Sequence, residues 1–373
     1  MERLIMYDPN QLVEEYEKLE HGKAKISGIR EAIRQADENH DVPYQIHFRH
    51  ELCHESVFYG DALDMLIIFP EMLAIIDKNP DAPTTKHNYG YIDSMDCVLW
   101  IYKWLLETCE EYYQISMEDC ERFFEDYKKR CLAYGYNLRP YYEMKSGFYE
   151  SMNHPEADKL FHLFETSPRD DNANCEACEQ NDIVDHYLKK GDLQKADLLA
   201  RDLDSRKLQC GGINSWLRLK KNYMRYYLRR QDFKKAAEYI RKIKRYRNQQ
   251  TEFDISREEM YCYAHLDVAK ALRVYKNNWN RWMQEREPKA LYDNAVDICV
   301  FFQKLMENRK KQTVKIAYDS SFPLYRESDR YEIQELFDFY YKQAKDLAGK
   351  FDKRNGTYAF MKMLQSKVQD QRA

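Results

Sequence analysis

Glycine and proline are scarce in this chain, at 11 and 10 of 373 residues. A turn-rich β fold uses both freely, so their scarcity beside abundant Lys, Glu, Leu and aromatic residues favours long helices. Long hydrophobic runs are missing as well. The most apolar stretch, 62–76, falls short of the ~20 residues that span a bilayer, and Asp64, Pro70 and Glu71 interrupt it. The apolar start at residues 1–7 is too short for a signal peptide and meets Asp8-Pro9, so none is expected. Charge of one sign is not in excess overall. A net −4 by itself implies neither a nucleic-acid nor a membrane partner. Catalytic fingerprints are absent too, with no P-loop, no dinucleotide glycine motif and no G-x-S-x-G elbow. The expectation is a non-enzymatic protein. Ten cysteines are spread without dense framework spacing. They read as reduced thiols, which makes the cytoplasm the expected compartment.

What is present is charge, at 33% of residues, and tyrosine, at 31. Residues 10–38 read as one or two helices softened at Gly22 and Gly28. A helix follows Asp41 and Pro43, turns at Gly60-Asp61 into 62–78, and ends at Asn79-Pro80 and Pro83. Residues 91–113 carry Val98, Leu99, Ile101, Tyr102, Leu105 and Leu106 at helical spacing, with Trp100 and Trp104 among them. Ser116, followed by Glu118 and Asp119, caps a helix reaching Gly135. Arg139-Pro140 and His154-Pro155 open two more. The polar stretch 167–174 reads as a loop between repeats. No low-complexity segment and no strand pair stand out.

The clearest signal is a repeat. Residues 184–196 (VDHYLKKGDLQKA) align with 224–236 (MRYYLRRQDFKKA), with Tyr187/Tyr227, Leu188/Leu228, Asp192/Asp232, Lys195/Lys235 and Ala196/Ala236 matching. A third, weaker unit turns at Asp267, with Ala271 four residues on. A unit of this size cannot bury its own apolar face and must stack on a neighbour. These units resemble tetratricopeptide repeats, where a Gly-Asp turn joins helix A to helix B and an Ala follows. Val184 and Met224 stand where that family carries a small residue. The chain is also similar to a group of bacterial tetratricopeptide-type proteins, through Trp100–Trp104, Leu138-Arg-Pro140, 168–178 with Cys210, and 351–356. The resemblance implies an all-α, right-handed α-α superhelix and a bacterial origin, and no activity. Three segments are expected to share one core: N-terminal hairpins over 1–165, central repeats over 166–285 and a C-terminal helical cap over 286–373.

Three constellations could carry chemistry. His50-Glu-Leu-Cys-His54 matches HExxH, which on a helix places two imidazoles one turn apart for zinc with Glu51 as base. No third ligand follows at a recognisable spacing. If Gly60-Asp61 is a hairpin turn, His47, His50 and His54 instead lie on helix-A positions lining a groove, which is the preferred reading. Cys175-x-x-Cys178 with Cys210 offers three thiols to a structural zinc, for which the fourth ligand is His186, His162 or a carboxylate. Packed reduced thiols are the alternative that needs no metal, so no cofactor is expected. Finally, residues 218–247 hold 13 Lys/Arg against Asp232 and Glu238, a net +11 that leaves −15 for the rest of the chain. Counting helix A back from its turn puts Arg218, Lys221, Arg225 and Arg229 toward the groove, interleaved with Trp216, Tyr223, Tyr226, Tyr227, Tyr239 and Tyr246. The expected function is a scaffold or adaptor holding an acidic protein or peptide partner in a concave face. Nucleic-acid binding and a zinc-dependent peptidase are the rivals.

Overall fold

The computed structural model describes residues 7–80, 86–87, 90–91, 94–246, 254–308 and 312–368. The first six residues, Pro83 and Arg247 lie outside them. Among the described residues there are 18 α-helices and two short antiparallel strand pairs. No helix of the described residues is long and apolar enough to cross a membrane. The chain divides into two compact units, Met1–Ala173 and Asn174–Ala373.

The first unit contains α1 (Pro9–Glu17), α2 (Lys23–Glu38), α3 (Val42–Tyr59), a 3-10 turn (Ala62–Asp64), α4 (Met65–Lys78), α5 (Ser94–Glu111), α6 (Met117–Ala133), α7 (Arg139–Ser151) and α8 (Ala157–Thr166). Each helix packs on the next along the chain. Their starts follow the expected capping chemistry. Asp8, Asp41 and Ser116 each accept a backbone N–H of the first turn with a side-chain oxygen. Gly22 begins α2 at φ +91, where a Cβ would sit 3.3 Å from the Tyr59 carbonyl oxygen, and its N–H donates to buried Glu55 at 2.6 Å. By contrast, α2 runs straight through Gly28 and α4 through Pro70. The β1 (Lys86–His87) and β2 (Gly90–Tyr91) pair is a two-residue ladder. The polar loop after α8 folds back onto this unit. Buried Asn172 accepts from Lys103 Nζ at 2.6 Å through its carbonyl and donates to Tyr127 Oη at 3.3 Å.

The second unit contains α9 (Glu176–Lys190), α10 (Leu193–Leu199), α11 (Arg201–Asp204), α12 (Ser215–Arg229), α13 (Phe233–Tyr246), α14 (Ser256–Leu266), α15 (Val268–Met283), α16 (Pro288–Glu307), α17 (Ile333–Asn355) and α18 (Ala359–Lys367). Strands β3 (Thr313–Lys315) and β4 (Arg330–Glu332) pair with Val314 opposite Tyr331, both buried. Only three residues long, neither strand offers enough alternation to show in the sequence. Helix α16 is buried around most of its circumference, against α14, α15 and α17. Beside it Tyr275 is a polar hub in an apolar core. Its hydroxyl bonds those of Tyr318 at 2.7 Å and Tyr340 at 2.9 Å, so each buried O–H has a partner.

Candidate functional site

The repeat seen in the sequence is one hairpin turn built three times. Asp192, Asp232 and Asp267 each accept the N–H three residues on, from Lys195 at 3.0 Å, Lys235 at 3.1 Å and Lys270 at 3.0 Å. Each also accepts through its carbonyl from Ala196, Ala236 or Ala271 at 3.0–3.1 Å. All three alanines have no exposed surface, which marks a close approach of the two helices. The capping lysine then lies over a tyrosine of the preceding helix, at 3.9 Å for Lys195–Tyr187, 5.0 Å for Lys235–Tyr227 and 3.5 Å for Lys270–Tyr263. That geometry is a cation–π contact. The first two turns pass through a left-handed residue, Gly191 at φ +83 and Gln231 at φ +57. The third omits it, and Asp267 N–H bonds Tyr263 directly at 2.8 Å. Val184 and Met224, larger than the usual residue, are both fully buried.

A second regularity lies in the sequence separation of bonded side chains. In the first unit Tyr44 reaches Asn10, Arg30 reaches Asp64 and His21 reaches Glu55, each 34 residues away. In the second, Asn181 reaches Ser215 over 34 residues, while Lys221 reaches Asp254 and Arg225 reaches Glu258 over 33. With Arg218–Asp182 over 36 residues and Asn222–Asn181 over 41, these offsets lie near the 35 to 40 residues that separate the repeated turns.

Of the four basic residues singled out on α12, Arg218 and Arg225 meet acids from neighbouring helices. Arg218 pairs with Asp182 of α9 at 2.5 Å. Lys221 donates to the Asp254 carbonyl at 3.2 Å, and burial lowers its ammonium against the opposing pull of Glu258. Arg225 holds Glu258 of α14 at 2.9–3.0 Å. Arg229 is exposed at the end of α12. The chain of charges continues, since Arg257 lies 3.5 Å from Glu258 and 3.1 Å from Asp293 of α16, and Lys367 of α18 pairs with Asp297 at 2.9 Å. Burial alone would raise the Glu258 carboxyl, but Arg257, Arg225 and Lys221 outweigh it and pull it down to about 2. Part of the +11 of this segment is thus answered by acids that sequence reasoning did not single out. The offset of one repeat is the signal that could have found Asp182 and Glu258. Exposed basic side chains remain on α13, at Arg241, Lys242 and Arg245.

The structure also brings Cys175, Cys178 and Cys210 together, with their sulfurs all within 4.8 Å of one another. Cys175 is the N-cap of α9, and its sulfur accepts the Cys178 N–H at 3.3 Å. Cys178, one turn on, falls on the same face. Cys210 arrives from the loop before α12. Its N–H donates to Ser215 Oγ at 2.9 Å and its sulfur accepts the Ile213 N–H at 3.4 Å. Burial and the two neighbouring thiols push the Cys178 thiol up. At Cys210 burial also acts upward, but the N–H groups of Ile213 and Gly212 and the other two thiols outweigh it and hold this thiol below its ordinary value. Among the described residues, no histidine or carboxylate joins the three sulfurs.

On α3, His47 is buried with its Nε2 3.3 Å from Tyr16 Oη. His50 lies 3.3 Å from Glu51, its own neighbour in the chain. The imidazoles of His50 and His54 pack against Trp104 at centroid distances of 6.1 and 5.6 Å, and Phe58, 54% exposed, completes this aromatic face. Burial lowers the His54 imidazole. The sequence matches no protein-family model and no curated protein.

Proposed function

We propose that this chain is a non-enzymatic helical-repeat scaffold whose hairpins stack as a tetratricopeptide-like superhelix. Its helix-A face over α9, α12 and α14 holds an acidic protein or peptide. The observation that carries the reading is the repeated one-repeat offset of side-chain bonds, which stacked, equivalent hairpins require. Stacked hairpins present helix A in a row and supply a preformed groove, so a peptide binds without first ordering the receptor. Arg218, Lys221, Arg225 and Arg229 line this row. A guanidinium has five N–H donors, so the Glu258 carboxylate that holds Arg225 leaves capacity for an incoming one. The same pairing makes the surface selective, because a ligand must compete with Asp182 and Glu258.

The test is selection from a random displayed-peptide library on the purified chain. Recovered peptides are expected to be enriched in Asp and Glu, and the enrichment is expected to vanish with Arg218→Gln/Arg229→Glu. A pool with no acidic bias, or one the variant leaves unchanged, removes the reading. Nucleic-acid binding through Arg241, Lys242 and Arg245 of α13 predicts instead an affinity for RNA or DNA that falls steeply with salt.

A further inference from the structure

Of the nine cysteines whose side chains are described, six (Cys53, Cys109, Cys120, Cys131, Cys262 and Cys299) are buried. These behave as small apolar core residues. The other three of these nine, Cys175, Cys178 and Cys210, are reached by solvent and are also the three that cluster. Cys210 also packs against the apolar core of α9 and α12, but packing does not explain why the three thiols meet at one place.

We propose that Cys175, Cys178 and Cys210 bind one Zn2+ as thiolates. The fourth coordination position is filled from solvent, and the metal ties the N-terminus of α9 to the loop that precedes α12. Each thiol gives its proton to solvent as its sulfur bonds the metal, leaving a site of net charge −1. A tetrahedral ion with Zn–S bonds near 2.3 Å needs sulfurs about 3.8 Å apart. With sulfurs already within 4.8 Å, the cluster closes by movements of at most about 1 Å, within reach of side-chain torsions alone. Three features favour the negative charge that results. The Cys178 N–H points at the Cys175 sulfur and the Ile213 N–H at the Cys210 sulfur, and charge strengthens such bonds. Cys175 also sits at the positive end of a 15-residue helix. For the fourth position, a cavity of about 230 Å³ opens beside Cys210, walled by Arg206, Trp216 and Tyr246. It gives solvent a route to a metal that no side chain among the described residues completes.

The consequence is mechanical. Helices α9 and α12 are already joined by Asn181 Nδ2 to the Ser215 carbonyl at 3.2 Å and by Asn222 Nδ2 to the Asn181 carbonyl at 3.2 Å. The metal adds a staple at the open end of this pair, fixing the loop at 205–214. Zinc content is measured on the full chain purified with a thiol reductant and without chelator, followed by Co2+ replacement and absorption spectroscopy. One Zn2+ per chain and a thiolate-to-Co2+ charge-transfer band with tetrahedral d–d bands are expected. Cys210→Ser is expected to weaken Zn2+ binding more than about 100-fold, since even the outer-shell partners of ligands are worth roughly 10–100-fold. Chelator titration of the unmodified chain gives a second reading that does not depend on a variant folding. Reduced protein without stoichiometric zinc overturns the proposal. So does zinc retained by the Cys175→Ser/Cys178→Ser/Cys210→Ser chain, or a Cys175–Cys178 disulfide found in place of metal.

Discussion

Glu258 is the most exacting place to perturb the charge ladder, because it is buried and faces Arg225 and Arg257 together. The substitution Glu258→Gln keeps the shape and removes the charge. A carboxyl held at about 2 against an ordinary 4.5 contributes roughly 3 kcal/mol at neutral pH. That agrees with the ~3–5 kcal/mol measured when one member of a buried pair is removed. The second unit spans about 200 residues, so the expected fall in its unfolding midpoint is roughly 6–12 °C. Because the folded value lies below the unfolded one, the stabilisation is complete above pH 4.5 and is lost as pH falls toward 2. The variant's deficit is therefore expected to shrink by more than half between pH 7 and pH 3. Thermal unfolding at both pH values, with hydrogen exchange at α12, α14 and α16 to localise the change, checks this. A deficit under about 0.5 kcal/mol at pH 7, well below what this pKa shift implies, or one that persists undiminished at pH 3, refutes the ladder as a source of stability.

Other consequences follow from the repeated turn and from one half-buried histidine. Replacing Asp192, Asp232 or Asp267 by Ala removes the bond to the lysine N–H three residues on and is expected to cost about 1 kcal/mol each, with Asn nearly neutral; denaturant titration reads this. Ala196→Leu or Ala236→Leu forces a larger side chain between helices that leave no exposed surface and is expected to cost roughly 1–3 kcal/mol or more, visible as faster hydrogen exchange in the affected hairpin. Burial lowers the His265 imidazole to about 4, where it stacks on Phe233 at 4.0 Å. A histidine held below its unfolded value stabilises above about pH 6.5 and loses that stabilisation as pH falls toward 4. His265→Phe is expected to flatten stability across this window, and an unchanged pH profile would show that His265 is not the group responsible.

Local chemistry carried much of the fold into view. The aspartate caps, the alanine four residues on and the left-handed Gly191 act within a few residues, so a single sequence displays them. Long-range pairing does not show in that way. Nothing near Arg225 indicates that its carboxylate partner comes from α14, nor does Arg257 disclose Asp293. The basic run therefore looked more open to a partner than its surroundings make it. Asp267 was the weakest of the three turns because it drops the left-handed residue and shifts the register by one position. All three cysteines were legible as a possible ligand set, whereas the loop path that brings Cys210 to the pair, held by Ser215, was not. Strands of two or three residues are too short to leave a period.

The claim at the centre of this account is that the helix-A row of α9, α12 and α14 receives an acidic ligand. Calorimetric titration of a library-selected acidic peptide into the chain and into its Arg218→Gln/Arg229→Glu variant tests it most directly. Loss of charge-assisted hydrogen bonds predicts an affinity at least about tenfold weaker in the variant, which is roughly 1.4 kcal/mol. Equal affinities for the two proteins, with both folded, would contradict the account.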